Sequence, residues 1–216
     1  MRNESSTWST ERLENGGLFT LNTIPEGALG LGDNALYGFD SVRLPSLTDD
    51  GEEVVVMDSQ LVAGIATTDF YTGLLGLSPV SFNFTNSRDP VSSFVGSLVE
   101  QELLPSVSWG YTAGAAYRGA LGSLTLGGFD ESRLVRNEMV FGFGADISLD
   151  LTVAVQAVAF DGIGSNLLMV EGAYFLIDSV VAQIWLPVQV CEAFERAFGL
   201  VWDEEVELYL VDDEVH

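Results

Sequence analysis

The sequence is poor in the residues on which many hydrolases and structural metal sites depend. It contains one cysteine, Cys191, and one histidine, His216, which is also the last residue. A single cysteine excludes an internal disulfide and a zinc cluster built on thiolates. A histidine at a fraying terminus is a poor general base for a serine or cysteine nucleophile. Carboxylates are therefore the candidate catalytic groups, and we predict neither a metal nor another cofactor.

Basic residues are also scarce, because Lys and Arg together number 8 against 32 Asp and Glu, a formal net charge of −24. Nucleic acid and anionic lipid need clustered basic side chains, so this balance argues against both as partners. Self-repulsion that maintains solubility explains the excess of acid. A working environment at acidic pH, where many carboxylates would be protonated, explains it as well, and composition does not separate the two.

Long apolar runs are absent too. No segment is long enough to cross a bilayer, and the first residues, MRNESSTWSTER, are too polar for a signal peptide. Two tripeptides that begin at Asn3 and Asn83 fit N-glycosylation in a secretory compartment. Because such tripeptides often arise by chance, they support that location weakly.

Short apolar segments separated by Gly, Asn and Asp turns indicate a mostly β chain. Asp50-Gly51 lies between Val42–Leu47 and Val54–Met57, which predicts a hairpin there. The remaining strands are predicted at Leu18–Asn22, Ala35–Leu44, Ser106–Tyr111, Leu121–Gly127, Val140–Phe143, Leu149–Phe160 and Leu167–Val170.

Two stretches have helical spacing instead. Val91–Leu103 follows Pro90, with Asp89 as a predicted N-cap, and Pro187–Phe198 precedes Gly199, which can close a helix. Cys191 lies on the apolar face of the second helix, which predicts a buried structural thiol. The order of β segments, helix, β segments and helix predicts two parts that meet near position 136.

The stretch Tyr174–Pro187, YFLIDSVVAQIWLP, places one carboxylate, Asp178, between two apolar runs. Acidic residues are rarely buried unless they are paired or functional. A turn joining two core strands, with the carboxylate bonding the turn amides, explains Asp178 without any function. A catalytic role is the alternative, and this stretch alone favours the turn.

Six segments, in matching order along nearly the whole chain, resemble motifs of the pepsin-like aspartic proteases. DFYTGLLGLSPV at 69–80 resembles that family's F-D-G-I-L-G-L stretch, and IDSVVAQIWLP at 177–187 resembles its second active-site loop, V-D-T-G-T-S-L-L-x-x-P. The other four are NESSTWST at 3–10, LYGFDSVRL at 36–44, LPSVS at 104–108 and GSLTLGGFD at 122–130. The segments are most similar to a divergent, fungal, yapsin-like branch of the family.

This resemblance implies a bilobal, mostly β acid-protease fold with two short helices and a peptide or protein substrate. It implies a secreted, vacuolar or cell-surface location for the full-length protein. It also implies two aspartates, one from each lobe, that share a proton and activate water. Asp178 matches the second-lobe aspartate and Ser179 the hydroxyl beside it. The segment that supports the first active-site loop is matched by Gly73, Leu74, Leu75 and Gly76.

The sequence also departs from the family. The first catalytic Asp-Thr/Ser-Gly triplet is expected upstream of Asn3, and the Asp-Ser pairs at Asp40 and Asp58 match the flap return strand and the turn beyond it. The usual loop glycine is replaced by Val180, and the family's final strands do not follow. We therefore expect a fragment truncated at both ends, with a remnant of the N-terminal lobe and central hairpin over 1–135 and a partial C-terminal lobe over 136–216.

Three functions are compatible with these observations. The preferred one is an incomplete aspartic-type endopeptidase that is inactive alone, since one carboxylate cannot share a proton. The second is a protease-like protein that binds peptides without cleaving them. The third, a homodimer that pairs Asp178 from each copy, is the least supported because Val180 resists the positive φ of a glycine. We therefore expect a monomer.

Overall fold

The computed structural model describes residues 5–21, 34–48, 51–67, 72–81, 90–145, 151–160, 166–169, 172–180 and 184–210. Within these ranges the chain is mostly β, with small antiparallel sheets and two α-helices, so the predicted mostly β class is confirmed. The residues group into two compact units, Met1–Glu138 and Met139–His216. This division falls close to the boundary expected near position 136.

The first unit is built on a long antiparallel hairpin. Strand β2 (Asn34–Thr48) pairs with β3 (Gly51–Ile65), and the short strand β1 (Leu18–Thr20) adds to one edge of β2. The predicted hairpin about Asp50-Gly51 is confirmed by this pairing. Its register shifts between Asp40 and Val42, which marks a β-bulge.

The N-terminal segment is fixed onto the middle of β2. Ser9 and Phe39 exchange two backbone hydrogen bonds, both of 2.8 Å. Beside them, the ring of Trp8 lies so close to Gly38 that a Cβ there would approach it to 2.5 Å, which leaves room for glycine alone. Phe39 itself is buried with Leu13 and Val91, and this cluster is extended by Phe19, Tyr37 and Leu61.

Helix α1 (Phe94–Glu100) is shorter than the predicted range Val91–Leu103. It begins later because the hydroxyl of Ser93 accepts the N–H of Gly96 at 3.1 Å and so caps the first turn. The predicted cap Asp89 lies outside the described residues. Val95 and Leu98, which lie three positions apart at the helical spacing predicted for this range, are fully buried.

A second, smaller ladder completes the first unit. Strand β4 (Trp109–Thr112) pairs with β5 (Ser123–Leu126), and a 3-10 turn at Ala116–Arg118 lies in the connection between them. These strands confirm the predictions at Ser106–Tyr111 and Leu121–Gly127, with later starts in both cases. The indole N–H of Trp109 donates to the carbonyl of Leu77 at 2.9 Å.

The described residues of the second unit form short antiparallel strand pairs and one helix. The pairs are β6 (Thr152–Val155) with β9 (Ala173–Leu176), β7 (Val158–Phe160) with β8 (Asn166–Met169), and β10 (Val201–Asp203) with β11 (Leu208–Leu210). The predicted strand at Val140–Phe143 is wrong, since this segment makes only an isolated bridge from Phe143 to Val153. Its apolar side chains are exposed, so no burial holds it in a sheet.

Helix α2 (Val188–Phe198) confirms the predicted second helix. It follows Pro187 directly and ends at Gly199, whose left-handed φ of 63° suits glycine. Val190 is buried at the centre of the unit's hydrophobic cluster, while Phe194 stacks on Phe198. Cys191 is only half-buried, with its sulfur 3.5 Å from the carbonyl of Leu186, so the prediction of a buried thiol is corrected.

Candidate functional site

Asp178 lies in the loop that follows β9, where its side chain is exposed. Its Oδ1 accepts the backbone N–H of Val180 at 2.7 Å, the hydrogen bond of an Asx-type turn. Ser179, also exposed, occupies the bend of this turn. The local geometry therefore agrees with the turn predicted from the sequence, and it leaves the carboxylate open to solvent.

The expected placement of Asp178 between two buried strands is wrong. Ile177 is 55% exposed, and on the far side of the loop Ile184 and Trp185 are 84% and 46% exposed. Only Leu186 of the second apolar run packs against the cluster around Val190. The second run forms no strand in the described residues 184–187. Its apolar side chains have no second sheet surface there to cover them.

The segment matched to the first active-site support has no regular secondary structure and lies on the surface of the first unit. Gly73, Leu74, Leu75 and Gly76 are all exposed, and a Cβ at either glycine would meet no atom within 4 Å. The side chains of Leu74 and Leu75 are 37% and 51% exposed. These four residues and Asp178 belong to different units, and the role of each stays a prediction.

A second group of polar residues surrounds the bulge of the hairpin. The Asp40 carboxylate accepts hydrogen bonds from Ser5 Oγ at 2.7 Å, from the Ser41 N–H at 2.8 Å and from the hydroxyl of Thr7. The Thr7 hydroxyl bond, together with those from Ser5 and the Ser41 amide, holds the pKa of Asp40 below its ordinary value of 3.8. Asp40 thus joins the N-terminal segment to β2.

Asp58 lies across the same bulge on β3. The side-chain amide of Gln101 bonds both backbone groups of Asp58, accepting its N–H at 2.8 Å and donating to its carbonyl at 3.0 Å. The Asp58 Oδ1 accepts the Ser41 hydroxyl at 3.1 Å. The next residue, Ser59, has a φ of 56°, which is unusual for a non-glycine residue inside a strand.

A pocket of about 190 Å³ opens beside these residues. It is lined by Thr7, Ser9, Arg12, Phe39, Ser41, Asp58 and Ser59. Sequence reasoning missed this pocket because it depends on the bulge register. The available signal was the repeated Asp-Ser pair at 40–41 and 58–59, which the bulge brings together.

Several predicted features fall outside the described residues. Asn3 and Asn83, the predicted glycosylation sites, and His216 are among them. Within the described ranges, no three His, Cys, Asp or Glu side chains are grouped to hold a metal ion. The helices of these ranges are all too short or too polar to span a membrane.

No protein-family model matches this chain, and none of the curated proteins is significantly similar to it in sequence. The likeness to aspartic proteases therefore rests on the six ordered segments alone.

Proposed function

We propose that this chain is a divergent member of the pepsin-like aspartic protease family, in which Asp178 is one of the two carboxylates that activate water. The observation that carries the proposal is the order of the six motif segments along 3–187. The exposed carboxylate of Asp178, held by one turn amide and otherwise open to solvent, is compatible with this role. We extend the proposal to a bilobal acid-protease fold and a secreted, vacuolar or cell-surface location.

The mechanism needs a partner for Asp178. Two carboxylates about 3 Å apart share one proton, so that one polarises the scissile carbonyl while the other takes a proton from water. The 216 residues contain no Asp-Thr-Gly or Asp-Ser-Gly triplet to supply the partner. We therefore propose that these residues, acting alone, bind peptides without hydrolysing them by this route.

A non-catalytic peptide-binding protein is the second candidate. Two features of the sequence favour it. The motif segments supply a single carboxylate, Asp178, and Val180 replaces the loop glycine. The two candidates differ in one respect: whether the protein, as its own cells produce it, cleaves peptides.

The role of Asp178 can be tested against Asp203, an aspartate in a similar turn that serves as the control. Asp203 resembles Asp178 locally, since its carboxylate accepts the N–H groups of Glu205 and Val206 at 2.8 and 3.3 Å, but it lies outside the motif segments. Asp178→Asn and Asp203→Asn are introduced into the protein in its own cells. The purified proteins are then assayed on an unstructured peptide at about pH 4, where a shared-proton dyad works best, and at about pH 7.

We expect acid-dependent cleavage that falls about a thousandfold in Asp178→Asn and survives in Asp203→Asn. Binding of an uncleaved peptide that is lost only in Asp178→Asn would favour the non-catalytic candidate. Cleavage that persists in Asp178→Asn, or equal losses in both variants, would contradict a motif role for Asp178. Activity that rises with the square of protein concentration would identify the dimeric alternative.

A further inference from the structure

The pocket beside the hairpin bulge combines groups of opposite charge in a small volume. Arg12 and Asp58 both line it, together with the hydroxyl-bearing residues Thr7, Ser9 and Ser41. Its volume of about 190 Å³ is suited to a small molecule rather than to a folded partner. The larger hollow of about 420 Å³ at 129–137 is formed by exposed neighbours in one segment, so no separate element fixes its shape.

Arg12 is held against an aromatic ring but has no acidic partner among the described residues. Its guanidinium carbon lies 4.1 Å from the centre of the Phe39 ring, and this ring is buried and therefore fixed. Among the described residues Arg12 makes no ion pair, although acidic side chains outnumber basic ones four to one in the chain. Within the described part of the chain the guanidinium N–H groups donate no hydrogen bond, so they can bind a carboxylate in bidentate fashion.

Asp58 is the complementary group. Its backbone is clamped by Gln101, and its Oδ1 is already bonded to Ser41. Its Oδ2 accepts no hydrogen bond from the described part of the chain. This oxygen can therefore accept a hydrogen bond that a ligand donates. The left-handed φ of Ser59 directly beyond it is the kind of local strain that clusters at ligand sites.

From this arrangement we propose that the pocket binds a small zwitterion of the α-amino-acid type. Its carboxylate pairs with Arg12, its ammonium group pairs with Asp58 Oδ2, and the Thr7 and Ser9 hydroxyls border its uncharged part. A net neutral ligand suits a chain of charge −24, which repels a simple carboxylate. The proposal does not depend on protease chemistry, because every residue it uses belongs to the first unit, whereas Asp178 belongs to the second.

Three structurally related probes separate the contributions of the two charges. L-Alanine carries both groups, ethylamine lacks the carboxylate, and propionate lacks the ammonium. Each is titrated into the 216-residue chain labelled with nitrogen-15, at constant ionic strength and pH 7, and the backbone amides of Phe39, Ser41 and Ser59 are followed by NMR. We expect L-alanine to bind at least about tenfold more tightly than ethylamine, with propionate the weakest.

Variants then assign each charge. Arg12→Gln should reduce the affinity for L-alanine to that for ethylamine, and Asp58→Asn should remove the preference for an ammonium group. Arg118→Gln is the matched control, since Arg118 also lies over a ring, that of Tyr117 at 5.1 Å, but outside this pocket. It should change nothing.

The order of the three probes on the unmodified chain decides the proposal even if a variant fails to fold. Equal affinities for L-alanine and ethylamine, or shifts confined to amides outside the pocket, would overturn it. Equal weakening by Arg12→Gln and Arg118→Gln would overturn it as well.

Discussion

Asp40 is one of the residues that attach the N-terminal segment to the hairpin. Its carboxylate accepts hydrogen bonds from two side chains more than thirty positions away, Ser5 and Thr7, and from the neighbouring amide of Ser41. These bonds are stronger to the ionised carboxylate than to the neutral acid, and they therefore lower its pKa. Attachment of the N-terminus to the hairpin is thereby linked to pH.

A double-mutant cycle on Asp40→Asn and Thr7→Val measures this link. Because the folded-state pKa of Asp40 is depressed, its contribution is present above the unfolded value near 4 and is lost as pH falls through the lower folded value. At pH 7 we expect a coupling of about 1 kcal/mol in the free energy of unfolding, a low value because solvent screens the carboxylate. At about pH 2 the coupling should approach zero.

Urea unfolding at both pH values provides the four free energies of the cycle. The single variant Ser108→Ala, on the same unit but outside this cluster, is the control and should show the same small effect at both pH values. A coupling between Asp40 and Thr7 that is equal at the two pH values would contradict the ionised acceptor.

At the level of elements, the helix of the second unit could be predicted well from the sequence. Pro187, the helical spacing of Val190 and Phe194, and Gly199 are local signals, and each acts through the geometry of its own residue. The apolar run at 184–186 could not be assigned in this way, because apolar residues form a strand only when a partner strand and a covering surface exist. The same limitation produced the wrong strand at Val140–Phe143.

The candidate sites show the same division between local and non-local information. The Asx-type turn at Asp178 was predictable because its hydrogen bond spans two residues. The contact of Ser41 with Asp58 was not, since a one-residue change of register at the bulge would separate them.

Val190 is the buried centre of the packing of helix α2 in the second unit. Val190 is 3% exposed and lies among side chains from β6, β7 and β9, whereas Val188, two positions earlier, is 68% exposed. We expect Val190→Ala to lower the free energy of unfolding by about 2 kcal/mol, through lost burial and a residual cavity. Val188→Ala should change it by less than about 0.5 kcal/mol. Equal effects in a urea titration would mean that α2 does not pack as described.

At the scale of the whole molecule, charge repulsion is the dominant electrostatic feature. The described residues contain three ion pairs between nitrogen and oxygen, at 3.5, 3.6 and 3.9 Å, and all are exposed and therefore weak. They cannot offset a net charge of −24. We infer that most acidic side chains repel one another across the surface.

Added salt should therefore stabilise the protein. Raising sodium chloride from about 10 to about 200 mM shortens the screening length from roughly 30 Å to below 10 Å, and the melting temperature at pH 7 should rise by several degrees. Solubility should be lowest near pH 4.1, the isoelectric point. A melting temperature that falls with salt would show that attractive pairs outweigh the repulsion.

The long hairpin of the first unit also has a kinetic consequence. Its partners are close in sequence at Thr48 and Gly51 and become steadily more distant toward Ala35 and Ile65. Each new pair therefore closes only a small additional loop, so the entropic barrier to forming the hairpin is met in small increments. The contact of Ser9 with Phe39 must instead close a long loop in one step. Pairing of the hairpin can thus begin at its turn and proceed toward Ala35 and Ile65. The N-terminal segment then binds last, to the β2 strand that is already paired.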